Sequence, residues 1–211
     1  MLLQKIGKKK VLLGYKGMLL CLYKKLYLWF FSRYFNFHRW HTSAPYECRP
    51  YKNIVSKKIN TLSKKGIVEV GCGLGDIGNL ISNQLFYFGI DSEENTIVAA
   101  RYFLRKKRNI KLYIGSFEAI REISTNQFDV LLLINWIHEI ETSVLVKLII
   151  CNINKNVKYI VLDSIHLKDK KIFNGFNHNE KNLLENGLPF KLKETINNID
   201  ETRHLLIFEK N

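Results

Sequence analysis

The stretch Ile67-Val68-Glu69-Val70-Gly71-Cys72-Gly73-Leu74-Gly75-Asp76-Ile77-Gly78 decides how this chain folds. A short apolar run breaks into glycines at every second position, and a helical pattern follows. A turn this tight needs residues without a Cβ, so that backbone N–H groups approach a ligand closely. Leu85 to Ile90 is a second apolar run, and Asp91 ends it. In nucleotide-binding α/β folds a carboxylate at this place accepts both hydroxyls of a ribose. The glycine turn and Asp91 together point to an adenosine-containing cofactor.

Two cofactor loops compete for these residues. Gly73, Gly75 and Gly78 satisfy the GxGxxG of a dinucleotide loop, a weak signal by itself. Glu69 and the spacing Gly71-Gly73-Gly75 resemble motif I of the class I S-adenosylmethionine-dependent methyltransferases, an acidic residue and an apolar residue followed by GxGxG. That resemblance covers roughly residues 52–209 and implies S-adenosylmethionine as cofactor. It also implies that the glycine loop lies against the methionine part and that Glu69 helps hold its amino group. Cys72 falls within the loop, where only a small side chain fits.

Beyond the loop, apolar runs alternate with helical ones. Strands are expected at 67–71, 86–90, 111–114, 128–134, 158–163, 190–196 and 203–209. Helices are expected near 76–84, 94–106, 118–123, 141–151 and 179–186. Such alternation predicts an α/β fold, a mostly parallel sheet with helices on both faces. The last two strands have no helix between them, which predicts a C-terminal antiparallel hairpin. The class I methyltransferase sheet, Rossmann-like with seven strands, ends in the same way.

Ligands of open α/β sheets bind at the carboxyl ends of the strands. Those ends supply the glycines, then Asp91 and Ser92, then Gly115-Ser116-Phe117-Glu118, then Asn135-Trp136-Ile137-His138-Glu139. The resemblance places Ser116 and Phe117 at the adenine edge and ring, although an Asp is commoner at the first position. It places Asn135 where the family faces the transferred methyl. No [DNS]-Pro-Pro-aromatic motif for a flipped base follows Asn135, no Cys nucleophile stands in this region, and no carboxylate cluster for metal-assisted transfer is evident. His138 titrates near neutrality and is the first candidate base for an alcohol, with Glu139 orienting it. His41 and His166 are rivals, and a plain helix start at His138-Glu139 is the bland alternative.

The N-terminal third is different in kind. Residues 1–65 carry fifteen Lys or Arg and one acid, Glu47, giving +14, while residues 66–211 carry eighteen of each sign. All of the chain's net charge of +14 therefore sits in this third. An asymmetry of this size points to an anionic partner, either nucleic acid or an anionic membrane. The first ten residues read as a mobile basic segment. From Leu19 a helical stripe runs through Leu20, Tyr23, Leu26, Tyr27, Phe30, Phe31 and Tyr34. Three destinations fit this stripe: a membrane interface, the chain's own catalytic domain, or a second subunit.

Residues 36–51 are dense in His, Arg, Trp and Tyr, and Pro45 and Pro50 exclude a continuous helix there. Trp40-His41 and Cys48-Arg49-Pro50-Tyr51, with Asn135 to Glu139, resemble a bacterial methyltransferase subgroup associated with surface-polysaccharide gene clusters. This second resemblance implies a lid at 36–51, with Arg49 against the methionine carboxylate and Tyr51 stacking or hydrogen-bonding beside it. The chain thus divides into a basic aromatic extension and lid, 1–51, and a methyltransferase domain, 52–211.

No uncharged apolar run is long enough to span a bilayer, and no secretion signal fits the first residues. Cys21, Cys48, Cys72 and Cys151 lack CxxC spacing, so they read as reduced cytosolic thiols without zinc or disulfides. The expectation is a cytoplasmic enzyme, possible at the inner membrane face, that methylates a sugar or other small-molecule hydroxyl. An RNA methyltransferase using the basic extension and a non-catalytic S-adenosylmethionine-binding protein are the alternatives.

Overall fold

The computed structural model describes residues 2–43, 48–123, 126–153, 155–165, 175–200 and 202–211. The apolar runs form strands β1 (Gly66–Val70), β2 (Phe86–Asp91), β3 (Ile110–Ile114), β4 (Val130–Leu133), β5 (Tyr159–Ile165), β6 (Phe190–Ile196) and β7 (Arg203–Lys210). Their ends differ from the expected ones by no more than two residues. One seven-stranded sheet results, ordered β3-β2-β1-β4-β5-β7-β6. β1 to β5 pair in parallel, and β7 runs antiparallel between β5 and β6.

The helices are α1 (Leu2–Phe35), α2 (Trp40–Ser43), α3 (Tyr51–Leu62), α4 (Asp76–Leu80), α5 (Glu94–Phe103), α6 (Thr142–Asn152) and α7 (Glu180–Glu185). Strand residues alternate between two cores, as the two-residue pleat requires. Val68, Val70, Phe88, Ile90, Leu131 and Leu133 face α6 on one side. Ile67, Tyr87, Val130 and Leu132 face Val55 and Ile59 of α3 and Ile77 of α4 on the other. Tyr51, Val55 and Ile59 recur every fourth residue, so one stripe of α3 is buried.

Several expectations are corrected. Helix α1 begins at Leu2, so residues 2–10 of the basic segment lie in a helix; the helix breaks at Gly14, whose φ is 65°. α4 stops at Leu80 instead of residue 84, because Asn60 binds the Leu80 carbonyl and the Ser82 N–H and ends the helix there. The helix expected at 118–123 is instead a 3₁₀ turn, Phe117–Glu122. Cys21 and Cys48 are not free thiols: they form a disulfide with their Cα atoms 5.6 Å apart, while Cys72 and Cys151 remain unpaired as cysteines.

The aromatic stripe also divides. Leu28, Phe31 and Phe35 dock on Phe37, Leu74, Ala99 and Phe103, so α1 lies along α5. Leu19, Leu20, Tyr23, Leu26, Phe30 and Tyr34, expected to form one continuous stripe with Tyr27 and Phe31, stay exposed.

Candidate active site

A cleft of about 870 Å³ opens at the carboxyl ends of β1, β2, β3 and β4. The turn after β1 forms its floor. Gly71, Gly73 and Gly75 have φ of 72°, 55° and 75°, a region that strains residues with a Cβ. Gly71 has a second reason to be glycine: a Cβ would stand 2.2 Å from Cδ1 of Trp136. The Gly71 and Cys72 N–H groups donate to the Ile90 carbonyl, which ties the loop to β2. Gly73 and Cys72 line the cleft, whereas Gly75 sits at the start of α4, packed against Leu104. Gly78, the last glycine of the dinucleotide pattern, lies under the Tyr87 ring and serves helix–sheet packing.

Asp91 holds the loop in place. One carboxylate oxygen accepts from the Gly73 N–H at 2.8 Å and the other from the Glu93 N–H at 3.1 Å. Each oxygen keeps a further acceptor position. Glu69 is buried on the same face of β1 and accepts from the Tyr87 hydroxyl. Burial raises its carboxyl to about 8, against the opposing pull of Tyr87 and of Lys52. Lys52 in turn pairs with Asp76 at 2.5 Å.

The N-terminal segment closes one side. Trp40, His41, Arg49 and Tyr51 all line the cleft. The His41 ring stands over the glycine loop, within 3.2 Å of where a Cβ on Gly73 would be. Its Nε2 lies 3.4 Å from Glu93 and 3.4 Å from the Thr96 hydroxyl. Burial lowers its pKa, although Asp91 and Glu93 pull the other way. The Arg49 guanidinium stacks on Trp40 at 5.7 Å. Tyr51 is 4% exposed, and its hydroxyl has no hydrogen-bond partner among the described residues. Leaving such a group unsatisfied costs about 1–3 kcal/mol, so Tyr51 is set to gain from a polar ligand.

Ser92, Ser116, Phe117, Asn135 and Glu139 complete the expected set on the cleft wall. His138 does not join them. It is buried behind the wall, with Nε2 3.3 Å from Asp163 and Nδ1 3.2 Å from the Phe176 carbonyl. Glu139 does not orient it; Asp163 does. Burial alone would raise the Asp163 carboxyl, but His138 and Arg203 outweigh it and hold it below its ordinary value. His138 is therefore corrected from candidate base to structural partner, and His41 becomes the first candidate. His166 lies outside the described residues.

The same network sets the turn after β4. Asn135 has φ 84° and ψ −52°, and the Trp136 N–H donates to the Ile134 carbonyl, a tight γ-turn of the rarer hand. The Asn135 N–H donates to Asp163 and its side-chain oxygen accepts from Arg203. The sequence reading missed Trp136, Lys52, Asp76, Glu93 and Glu118 as lining residues. A signal was present for Asp76, an acid in the first turn after the glycine loop, and for Glu118 and Trp136, which stand in the strand-end stretches; none was present for Lys52 and Glu93.

The cleft suits S-adenosylmethionine by the chemistry of its walls. Six carboxylates, Glu69, Asp76, Asp91, Glu93, Glu118 and Glu139, line it against two permanent cations, Arg49 and Lys52. That balance favours a ligand with positive charge at its sulfonium and amino group. The glycine cradle gives its chain room, and the orphan Tyr51 hydroxyl beside Arg49 suits a carboxylate.

Comparison with known proteins agrees with this geometry. A family described as a methyltransferase domain matches residues 62–205, more than half of the chain. No curated protein matches in sequence. Among solved structures, the magnesium protoporphyrin IX methyltransferase of Synechocystis PCC 6803 with bound SAM is similar at TM-score 0.57 and 10% identity, over 76% of this chain and 80% of that one. The pyocyanin biosynthetic protein PhzM is similar at TM-score 0.61 and 14% identity, over 82% of this chain and 58% of that one. An O-methyltransferase of Nostoc punctiforme PCC 73102, described as putative, is similar at TM-score 0.60 and 13% identity, over 75% and 55%. This chain belongs to the methyltransferase domain family, and its fold is the class I, Rossmann-like one whose methyl donor is S-adenosylmethionine.

Proposed function

We propose that this enzyme methylates a hydroxyl on a sugar or another small molecule. The charge of the cleft carries the reading. With Glu69 mostly protonated near neutrality, five carboxylates against two permanent cations still repel a polyanionic strand, whereas a neutral alcohol enters without that cost. The absence of a base-gripping motif after Asn135 supports the same choice.

When bound, the cofactor supplies an activated methyl group, so the protein needs to supply alignment and a proton acceptor. His41 fits the second need. Its lowered pKa keeps the imidazole neutral near neutral pH, and Glu93 stands where it stabilises the imidazolium as a proton arrives. Glu69 and Arg49 with Tyr51 hold the amino and carboxylate ends, Asp91 with Ser92 the ribose, and Ser116 with Phe117 the adenine. Asn135 and Glu139 face the acceptor. Residues 1–51 act as extension and lid, and 52–211 as the catalytic domain. A finer form of the proposal is a lipid-linked glycan acceptor in surface-polysaccharide synthesis at the cytoplasmic face of the membrane. It rests on the resemblance at Trp40-His41, Cys48 to Tyr51 and Asn135 to Glu139.

Transfer of labelled methyl to neutral sugars and lipid-linked glycans, with RNA alongside, tests the proposal. Hydroxyl acceptors should be labelled. His41→Ala should lower transfer by about 10²–10⁴-fold with the cofactor still bound. Labelling of RNA and of no hydroxyl acceptor would overturn it.

A further inference from the structure

Helix α1 docks through one face and leaves the opposite, largely apolar face exposed. Leu28, Phe31 and Phe35 make the docked face. Tyr15, Leu19, Leu22, Tyr23, Leu26, Trp29, Phe30 and Tyr34 are all exposed, with Leu22, Leu26 and Phe30 at 57%, 61% and 61%. At 3.6 residues per turn these eight fall within an arc of about 140°, centred about 160° from the docked residues, with Arg33 inside the same arc. A monomer in water seldom presents so many large apolar side chains together.

Helix α1 carries no acidic residue. Lys16 and Arg33 are exposed on the helix itself, and the Arg33 guanidinium covers the Trp29 ring at 4.5 Å. The catalytic domain carries a second group. The run Arg105-Lys106-Lys107-Arg108 follows α5, and Arg105, Lys106 and Arg108 are exposed. This run adjoins α1: Arg105 stacks on Tyr102 at 4.2 Å, and Tyr102 packs on Phe31 and Phe35 at 5.5 and 5.3 Å. The run therefore flanks the docked side of α1, across the helix from the exposed face, and is not part of that face.

We infer that the exposed face of α1, with Arg33 within it and Lys16 at its edge, forms a surface for an anionic lipid bilayer, with the aromatic stripe in the headgroup layer and the cations on lipid phosphates. Aromatic and leucine side chains bordered by Lys and Arg are what an interfacial helix needs. Among the described residues no helix is long and apolar enough to cross a membrane, so the contact is peripheral. α1 leads directly into Trp40 and His41 on the cleft wall, which sets the cleft beside the bilayer. The inference deepens the lipid-linked form of the proposed function and rests on that reading only for the acceptor, not for the binding.

The test is flotation of the full-length protein with phosphatidylcholine vesicles, with and without phosphatidylglycerol, at low and high salt. Binding should require the anionic lipid and be reversed by salt. The variant L22S/L26S/F30S, which spares the docked face, should lose flotation with an unchanged melting temperature. K16A/R33A should weaken partitioning by about 25-fold, at about fivefold per cation, which keeps the test decisive if the first variant misfolds. Cofactor binding measured on the same samples separates failure of this surface from failure of the methyltransferase site. Three results would overturn the inference. One is full-length protein left unfloated by anionic vesicles at low salt. The second is a dimer without lipid affinity that L22S/L26S/F30S dissociates, which assigns the face to a second copy. The third is salt-sensitive RNA binding without flotation, lost in K16A/R33A.

Discussion

Glu69 makes cofactor binding depend on pH in a way its replacement should erase. Its carboxyl is raised to about 8 by burial, so near neutrality the cleft holds mostly the protonated form. A cofactor ammonium requires the carboxylate, and apparent affinity scales with the competent fraction. That fraction is about 1 in 100 at pH 6 and about 1 in 11 at pH 7, so Kd should fall about tenfold over that unit, or about 1.4 kcal/mol. The ligand's own α-amino group titrates at about 7.7–8.0, so the interval below pH 7 isolates the protein's contribution. Calorimetry in two buffers of different ionisation enthalpy should also show close to one proton released per cofactor bound. Glu69→Gln should bind more weakly, with no pH slope and no proton release. The apoprotein should show the linked effect on stability. A carboxyl whose folded pKa lies above its unfolded value of 4.5 stabilises fully below that value, and the stabilisation is lost as pH rises through about 8. Glu69→Gln should flatten that fall in melting temperature. An equal Kd at the two pH values in wild-type protein, or a slope that persists in Glu69→Gln, would refute the reasoning.

Tyr51→Phe removes a buried hydroxyl that lacks a partner, so the melting temperature of the apoprotein should hold or rise while S-adenosylhomocysteine binding weakens by about 1–3 kcal/mol; unchanged affinity would remove Tyr51 from the site. Gly71→Ala should lower both melting temperature and cofactor affinity, since the new Cβ meets the Trp136 ring at a positive φ; thermal melts and calorimetry check it, and a variant that melts and binds like the wild type would show that the ring moves aside freely.

The central strands β1, β2 and β4 were legible because they are mostly buried on both faces and read as nearly continuous apolar runs, while β3 and β6 are half-exposed and alternate apolar with polar or charged residues. The glycine turn and Asp91 were legible because backbone geometry and ribose chemistry each demand a particular residue type. The position of His138 was not. It depends on the γ-turn at Asn135, which is set by Asp163 and Arg203, 28 and 68 residues further along the chain. The Cys21–Cys48 pairing was equally hidden, because a separation of 27 residues carries no local signal and only the path of α1 brings the two together. The stripe on α1 was visible, but periodicity does not say which of two apolar faces docks on α5 and which stays exposed.

The central claim is that the cleft over Gly71 and Gly73 is built for S-adenosylmethionine. Titration calorimetry of the purified full-length protein tests it most directly. The account predicts one S-adenosylmethionine bound per chain, displaced by S-adenosylhomocysteine, with no heat from NAD. Binding of NAD without binding of S-adenosylmethionine would contradict it.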